Sequence, residues 1–495
     1  MVLNARSENR GTVHKVKSEN RGMVQVLKLC RLKMCYTLPQ KGIKGMKRKI
    51  YEQLLNWKKE EHGESAVLIE GARRVGKSWI AEEFAKREYD AYLLIDFSTA
   101  DVAIKSIFND YLGNVDLFFE KLLNAFGVKL PPRRSLIIFD EVQLFPRARE
   151  AIKSLVADGR YDYIETGSLV SIKENTKGIL IPSEETHVKM YPMDFEEYLW
   201  SRGNETLMDH IRACYAAQEP LGQAVHRKAM DYFREYMIVG GMPQVVKKFC
   251  ETKDLKAADR EKRKILALYR DDIAKHAGRY AGKVRRIFDE IPGQLSKHEK
   301  KFSLASLGKG SKMRSYEDAF LWLDDAMVVN SCYNTTEPNV GLRLNMDSSA
   351  FKCYMGDTGL LVSHAFDDKA LAAEDIHKRL LLGNLEVNEG MLMENVVAQM
   401  LAVSGHPLFF FSKYDKSNAE ERMEIDFLIA KSKIGRRKNI IPIEVKSKKR
   451  YTTNSLDKFT SKYRAKIDSP IVLHAKDLAV KDGVTYLPLY MTPCL

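Results

Sequence analysis

The stretch AVLIEGARRVGKSWIAEEFAKRE, residues 66–88, decides the fold. Its first five residues, four of them apolar, read as a short strand, and SWIAEEFAKRE carries the spacing of an amphipathic helix. Between them Gly71-Ala72-Arg73-Arg74-Val75-Gly76-Lys77-Ser78 fits GxxxxGK(S/T), in the strand–loop–helix setting that this motif requires. Glycines let backbone N–H groups wrap a phosphate chain, and the helix N-terminus adds partial positive charge. Lys77 is then placed for the β- and γ-phosphates of ATP, and the Ser78 hydroxyl for a Mg²⁺ ion.

A second element answers the first. Residues 136–141, LIIFDE, are four apolar residues closed by two acids. Asp140 suits the water shell of Mg²⁺, and Glu141 suits polarisation of the attacking water. Thr166-Gly167-Ser168 ends the following strand, where Thr166 or Ser168 is placed to sense a γ-phosphate; an ordinary strand-ending turn is the other reading. Arg147, Arg149 and Arg160 are the candidates for an arginine acting in trans, and the sequence selects none of them. Strands at 66–70, 91–98, 135–141 and 161–168 alternate with helices at 78–88, 104–127 and 147–159. That alternation predicts an α/β fold with a parallel sheet covered on both faces.

At 495 residues the chain is too long for one core. The expected divisions are a basic extension at 1–45, a nucleotide-binding domain at 46–205, a helical region at 206–345 that admits a winged-helix unit near 285–335, and a second α/β unit at 346–495. SENRG occurs at 7–11 and again at 18–22, in a stretch with little apolar periodicity. Met46 then opens MKRKIYEQLLNWKKE, an amphipathic helix with Ile50, Leu54 and Trp57 on one stripe, and natural synthesis is expected to start there.

The composition, 45% hydrophobic and 29% charged, is that of a globular chain, and no apolar run approaches the roughly eighteen residues that span a bilayer. The basic N-terminus lacks an apolar segment with a small-residue cleavage site. Seven scattered cysteines without a CxxC pair fit reduced thiols, and eleven histidines without HExxH spacing give no zinc site. A cytoplasmic protein with no membrane contact is expected, and an oligomer stays open. The net charge of +14 is local: residues 1–45 and 431–450 each carry +8, leaving −2 for the rest. A patch of that kind is an electrostatic footprint for DNA or RNA, although solvated lysines without a partner share the pattern.

GARRVGKS, SLIIFDEVQ, ETGS, YPMDFEEYLW (191–200) and YMIVGGMP (236–243), with YRDDI (269–273), GDTGL (356–360) and YLPLY (486–490), together resemble a prokaryotic family of AAA-type ATPases. Its members pair a P-loop domain with a C-terminal domain of unknown function related to the PD-(D/E)xK nuclease fold. The likeness runs from about 46 to 495. It departs where members commonly carry Gly-Arg: this chain reads ILIPSEETHVKMYP there, so no arginine is carried over.

The resemblance directs attention to Asp426 in MEIDFLIA and Glu444 and Lys446 in IPIEVKS. Strand alternation puts both carboxylates and the ammonium on one face of a hairpin. Glu394 lies on an apolar stripe of MLMENVVAQML, an expensive place for a carboxylate without a partner. In the nuclease fold these residues imply a second Mg²⁺ site of Glu394, Asp426 and Glu444, with Lys446 orienting water. Lys431, Lys433, Arg436, Arg437, Lys438, Lys448, Lys449 and Arg450 flank it. Two functional readings follow: ATP turnover coupled to a nuclease-fold module that acts on or binds nucleic acid, or a nucleotide-dependent switch that docks a partner without cleavage.

Overall fold

The computed structural model describes residues 46–61, 63–167, 183–297, 300–308, 310–366, 389–414, 417–418, 421–431, 438–448 and 450–495. Strands β1 (Ala66–Glu70), β2 (Ala91–Asp96), β3 (Ser135–Asp140), β4 (Asp162–Gly167) and β5 (Glu185–Lys189) form one sheet in the order β2-β3-β4-β1-β5, with every pairing parallel. Period-two alternation divides strands β1 to β4 between two cores. Val67, Ile69, Leu136 and Ile138 pack with Leu54, Ile80 and Phe84 on one face. Ala66, Leu68, Ile137 and Phe139 pack with Phe108, Phe118 and Ile152 on the other. Each fully buried aliphatic or aromatic side chain of this kind contributes about 1.5–3 kcal/mol. The helix Ile50–Glu60 buries Ile50, Leu54 and Trp57, the stripe read from its sequence.

Helices then run from Phe195–Ser201 to Leu255–His276 and Ala281–Leu295. A second, mixed sheet has the order β12-β13-β11-β10-β9-β8-β6-β7. Its strands are β6 (Val329–Thr335), β7 (Met346–Met355), β8 (Phe409–Lys413), β9 (Met423–Ala430), β10 (Ile440–Val445), β11 (Ile471–His474), β12 (Ala479–Lys481) and β13 (Val484–Pro488). The α/β class is as expected, with a parallel sheet and a separate mixed one. The second sheet starts earlier than the sequence pattern suggested. β6 pairs with β7 and, through Tyr333 and Asn334, with β8. Its sequence, VNSCYNT, is polar and bulged, so it lacks the apolar alternation that announces a strand. Among the described residues no helix is long and apolar enough to cross a membrane.

The two sheets meet where VGGMP and GDTGL interlock. A Cβ on Gly359 would lie 2.5 Å from the Gly240 backbone, and one on Gly241 would lie 2.1 Å from the Met193 carbonyl oxygen. The Asp357 carboxylate accepts from the Gly241 N–H at 2.5 Å and the Leu360 N–H at 2.8 Å. Backbones this close exclude any side chain. Gly359→Ala is therefore expected to destabilise the protein by about 1–3 kcal/mol, the usual scale for overpacking, measured by urea unfolding; unchanged stability contradicts this packing.

Candidate functional site

The loop Gly71–Ser78 leaves β1 and enters the helix Lys77–Glu88. Gly76 caps that helix at φ 100°, a conformation open to glycine, and Arg74 stands at φ 70°. Gly71 also needs its missing side chain, since a Cβ would approach the Met190 carbonyl oxygen to 2.4 Å. Lys77 is buried, and its ammonium donates to the carbonyls of Gly71 (3.0 Å) and Ala72 (3.2 Å). Burial lowers its pKa, against the pull of Glu141 and Asp140.

Asp140 ends β3 and gathers the neighbouring strand ends. Ser78 Oγ donates to it at 2.7 Å, and Thr166 Oγ1 from the end of β4 donates to the same oxygen. Burial pushes the Asp140 carboxyl up while the two hydroxyls hold it down. Ser78 and Asp140 thus offer a hydroxyl and a carboxylate side by side, a donor set that fits Mg²⁺. Glu141 sits at φ 53°, the left-handed region that costs a non-glycine residue about 1–3 kcal/mol. Its Oε2 accepts from Gln143 Nε2 at 2.5 Å, and its N–H reaches Thr166 Oγ1 at 3.4 Å. Ser168 lies outside the described residues.

The three arginines separate by their partners. Arg149 is buried and doubly bonded to Glu185, at 2.9 and 2.6 Å. Arg160 pairs with Asp158 and Asp116, at 2.7 and 2.9 Å. Arg147 bonds across its own helix turn, to Glu150 at 2.7 Å, and is half-exposed.

Several residues around the loop gave no signal in the sequence. Arg48 donates to the Val75 carbonyl at 2.9 Å and the Tyr191 carbonyl at 2.7 Å, and pairs with Glu197 at 3.0 Å. From the helix Leu255–His276, Tyr269 donates its hydroxyl to the Arg73 carbonyl at 3.1 Å, and Asp272 pairs with the Arg73 guanidinium. YRDDI was visible as a motif, but its place against the loop was not. Beneath Glu70, His187 faces Glu70 at 3.0 Å and Glu185 at 3.5 Å.

The C-terminal residues lie on neighbouring elements of the second sheet and the helix Glu389–Val403. Val445 N–H donates to Asp426 Oδ2 at 2.8 Å, which places β9 beside β10, and Glu444 pairs with Lys446 at 2.7 Å. Burial, opposed by Lys446, pushes Glu444 up to about 7. Glu394 accepts from the Tyr354 hydroxyl at 3.2 Å. The sequence reading missed two lysines: Lys300 pairs with Glu394, and the buried Lys352 lies 2.9 Å from Glu424 and 3.7 Å from Asp426. Among the described residues no three His, Cys, Asp or Glu side chains are placed to hold a metal ion. Of the flanking bases, Lys433, Arg436, Arg437 and Lys449 lie outside the described residues.

Residues 63–199 match the model of an AAA domain. Residues 230–370 and 389–491 match two domains of unknown function, DUF8612 and DUF4143. Solved structures similar to the chain include the FIGL-1 AAA domain in complex with ADP (12% identity, 48% of this chain and 80% of that one, TM-score 0.27). The Aeropyrum pernix ORC2 protein in its ADP form is 13% identical over 71% of this chain and 97% of that one, with a TM-score of 0.28. AMPPCP-bound DnaA from Aquifex aeolicus is 11% identical over 57% of this chain and 90% of that one, with a TM-score of 0.23. No curated protein matches the chain. The parallel sheet with its glycine loop is an AAA-type P-loop ATPase domain.

Two outcomes follow from this geometry. Asp272 pairs with the Arg73 guanidinium, and on the reading that Arg73 serves bound phosphate, Asp272→Asn is expected to tighten ATP binding by up to about fivefold, the scale of a partly exposed charge pair; calorimetry showing weaker binding contradicts it. Hydrogen bonds to Glu185 and Glu70, against burial, raise the pKa of His187 from 6.5 to about 9. The same cluster holds Arg149 and the buried Glu165, whose carboxyl burial pushes up. A raised pKa in a base stabilises the fold fully below about pH 6.5, and that stability is lost as pH rises towards 9. His187→Gln is expected to flatten the stability profile across that window, read by urea midpoints at successive pH values.

Proposed function

We propose that the chain binds ATP with Mg²⁺ at Gly71–Ser78, hydrolyses it, and uses the cycle to switch a partner-binding C-terminal unit. The observation that carries this reading is the convergence of Ser78, at the start of its helix, on Asp140 and Thr166 at adjoining strand ends, next to a buried lysine. Ser78 and Asp140 are the residues to hold Mg²⁺, which supplies charge neutralisation of the phosphates. Loop N–H groups from Gly71 to Ser78 cradle the phosphate chain. Lys77 exchanges two carbonyl partners for phosphate oxygens, a stronger, charge-assisted bond. Glu141, held by Gln143 in a strained conformation, is the base that orients and polarises water. Thr166 shares the Asp140 oxygen and stands where the γ-phosphate is sensed. Arg147, the least committed of the three arginines, is the candidate to act on a neighbouring copy.

The second half of the reading rests on the basic C-terminal face. Lys438, Lys448 and Arg450 are exposed or half-exposed there, while Lys431 pairs with Asp468. Those cations suit a polyanion, with salt-dependent affinity. The same surface also suits an acidic protein partner. Cleavage by Glu394, Asp426 and Glu444 meets an obstacle in Lys352, whose ammonium lies 3.7 Å from Asp426 and 3.9 Å from Glu394.

Glu141→Gln is expected to keep ATP affinity within a few-fold while hydrolysis falls by about 10²–10⁴, the range of lost general-base catalysis. Lys77→Ala is expected to lose binding and hydrolysis together. Phosphate release and equilibrium binding measured side by side decide; full hydrolysis by Glu141→Gln sinks the assignment. Partner binding is tested with labelled duplex DNA in the presence of ATP or ADP, and an affinity indifferent to both contradicts the switch.

A further inference from the structure

The resemblance to a nuclease-like fold implies Mg²⁺ held by Glu394, Asp426 and Glu444, and the donor set of this chain does not fit one. Lys352, on β7, is 1% exposed. Its ammonium lies 2.9 Å from Glu424, 3.7 Å from Asp426 and 3.9 Å from Glu394. Its other side faces the Phe410 ring, 5.0 Å from the centroid, so the charge is fixed between acids and an aromatic face. Lys300, from the segment after the helix Ala281–Leu295, pairs with the remaining oxygen of Glu394, while Tyr354 donates to Oε2. Asp426 Oδ2 is held by the Val445 N–H, and Glu444 by Lys446.

Every carboxylate of the implied metal set therefore already has a cation or an N–H donor against it. A divalent ion on the same oxygens would stand within a few ångströms of a buried ammonium, and like charges in a water-poor site repel strongly. Removing Lys352 instead leaves several neighbouring carboxylates short of positive charge, the condition under which a hard divalent cation binds.

We propose that Lys352 and Lys300 take the place of a metal in the C-terminal acid cluster, so that this unit is held together by internal cations and engages its partner without divalent-metal chemistry. The proposal concerns the second sheet and stands independently of ATP hydrolysis at the first.

Mn²⁺ is the probe, followed by electron paramagnetic resonance on the full chain carrying Asp140→Asn, which removes the ligand at the ATP site. The expected result is no bound Mn²⁺ at millimolar concentrations. Adding Lys352→Met is expected to create one Mn²⁺ site per chain, at least tenfold tighter, accompanied by a Mn²⁺-dependent rise in Tm and abolished by Asp426→Asn. Two results overturn the proposal: an Asp426-dependent Mn²⁺ site in the Asp140→Asn protein, or a folded Lys352→Met protein that binds none. If Lys352→Met does not fold, the Asp140→Asn titration decides alone, and Lys300→Met, at a position 14% exposed, provides the second variant.

Discussion

The first sheet depends on one carboxylate held at the end of a buried strand. Asp140 closes SLIIFD, and parallel pairing of β3 with β4, and of β4 with β1, brings three strand ends to the same edge. Parallel sheets place ligands at that edge because all carboxyl ends emerge there. Two hydroxyls, from Ser78 and Thr166, hold down a carboxyl that burial pushes up. The glycine loop, Glu141 and the helix of Lys77 take their places around it.

The first sheet was legible because its signals are local. GARRVGKS and LIIFDE are contiguous, and each strand's alternation fixes which side chains reach the core. The residues that steady the loop are not local: Arg48 reaches Glu197 over 149 positions, and Asp272 reaches Arg73 over 199. Nothing in a periodicity marks such partners. The second sheet shows the same limit. The resemblance singled out Asp426, Glu444 and Lys446, and alternation along two strands put them on one face. Lys352 and Lys300 were not legible, because each meets Glu394 from a distant segment and looks, in sequence, like any other lysine.

Between the two sites runs the helix Leu255–His276. Near its C-terminal end Tyr269 and Asp272 touch the phosphate loop. Along the same helix Asp259 accepts from Ser363 and Arg270 bonds His364, both on the segment that follows GDTGL. A rigid element gripping both halves is the physical requirement for passing a local change onward. In the proposed cycle, phosphate that draws Arg73 from Asp272 would alter one end of it, and the interlocked Gly240 and Gly359 backbones leave little slack between the sheets.

The central claim is that the loop exchanges its internal partners for ATP. A crystal structure with a non-hydrolysable ATP analogue and Mg²⁺ tests it most directly. The account predicts Lys77 Nζ on phosphate oxygens rather than on the Gly71 and Ala72 carbonyls, with Ser78 and Asp140 at the metal and Arg73 parted from Asp272. Nucleotide bound elsewhere, or Lys77 still bonded to those carbonyls with nucleotide present, contradicts it.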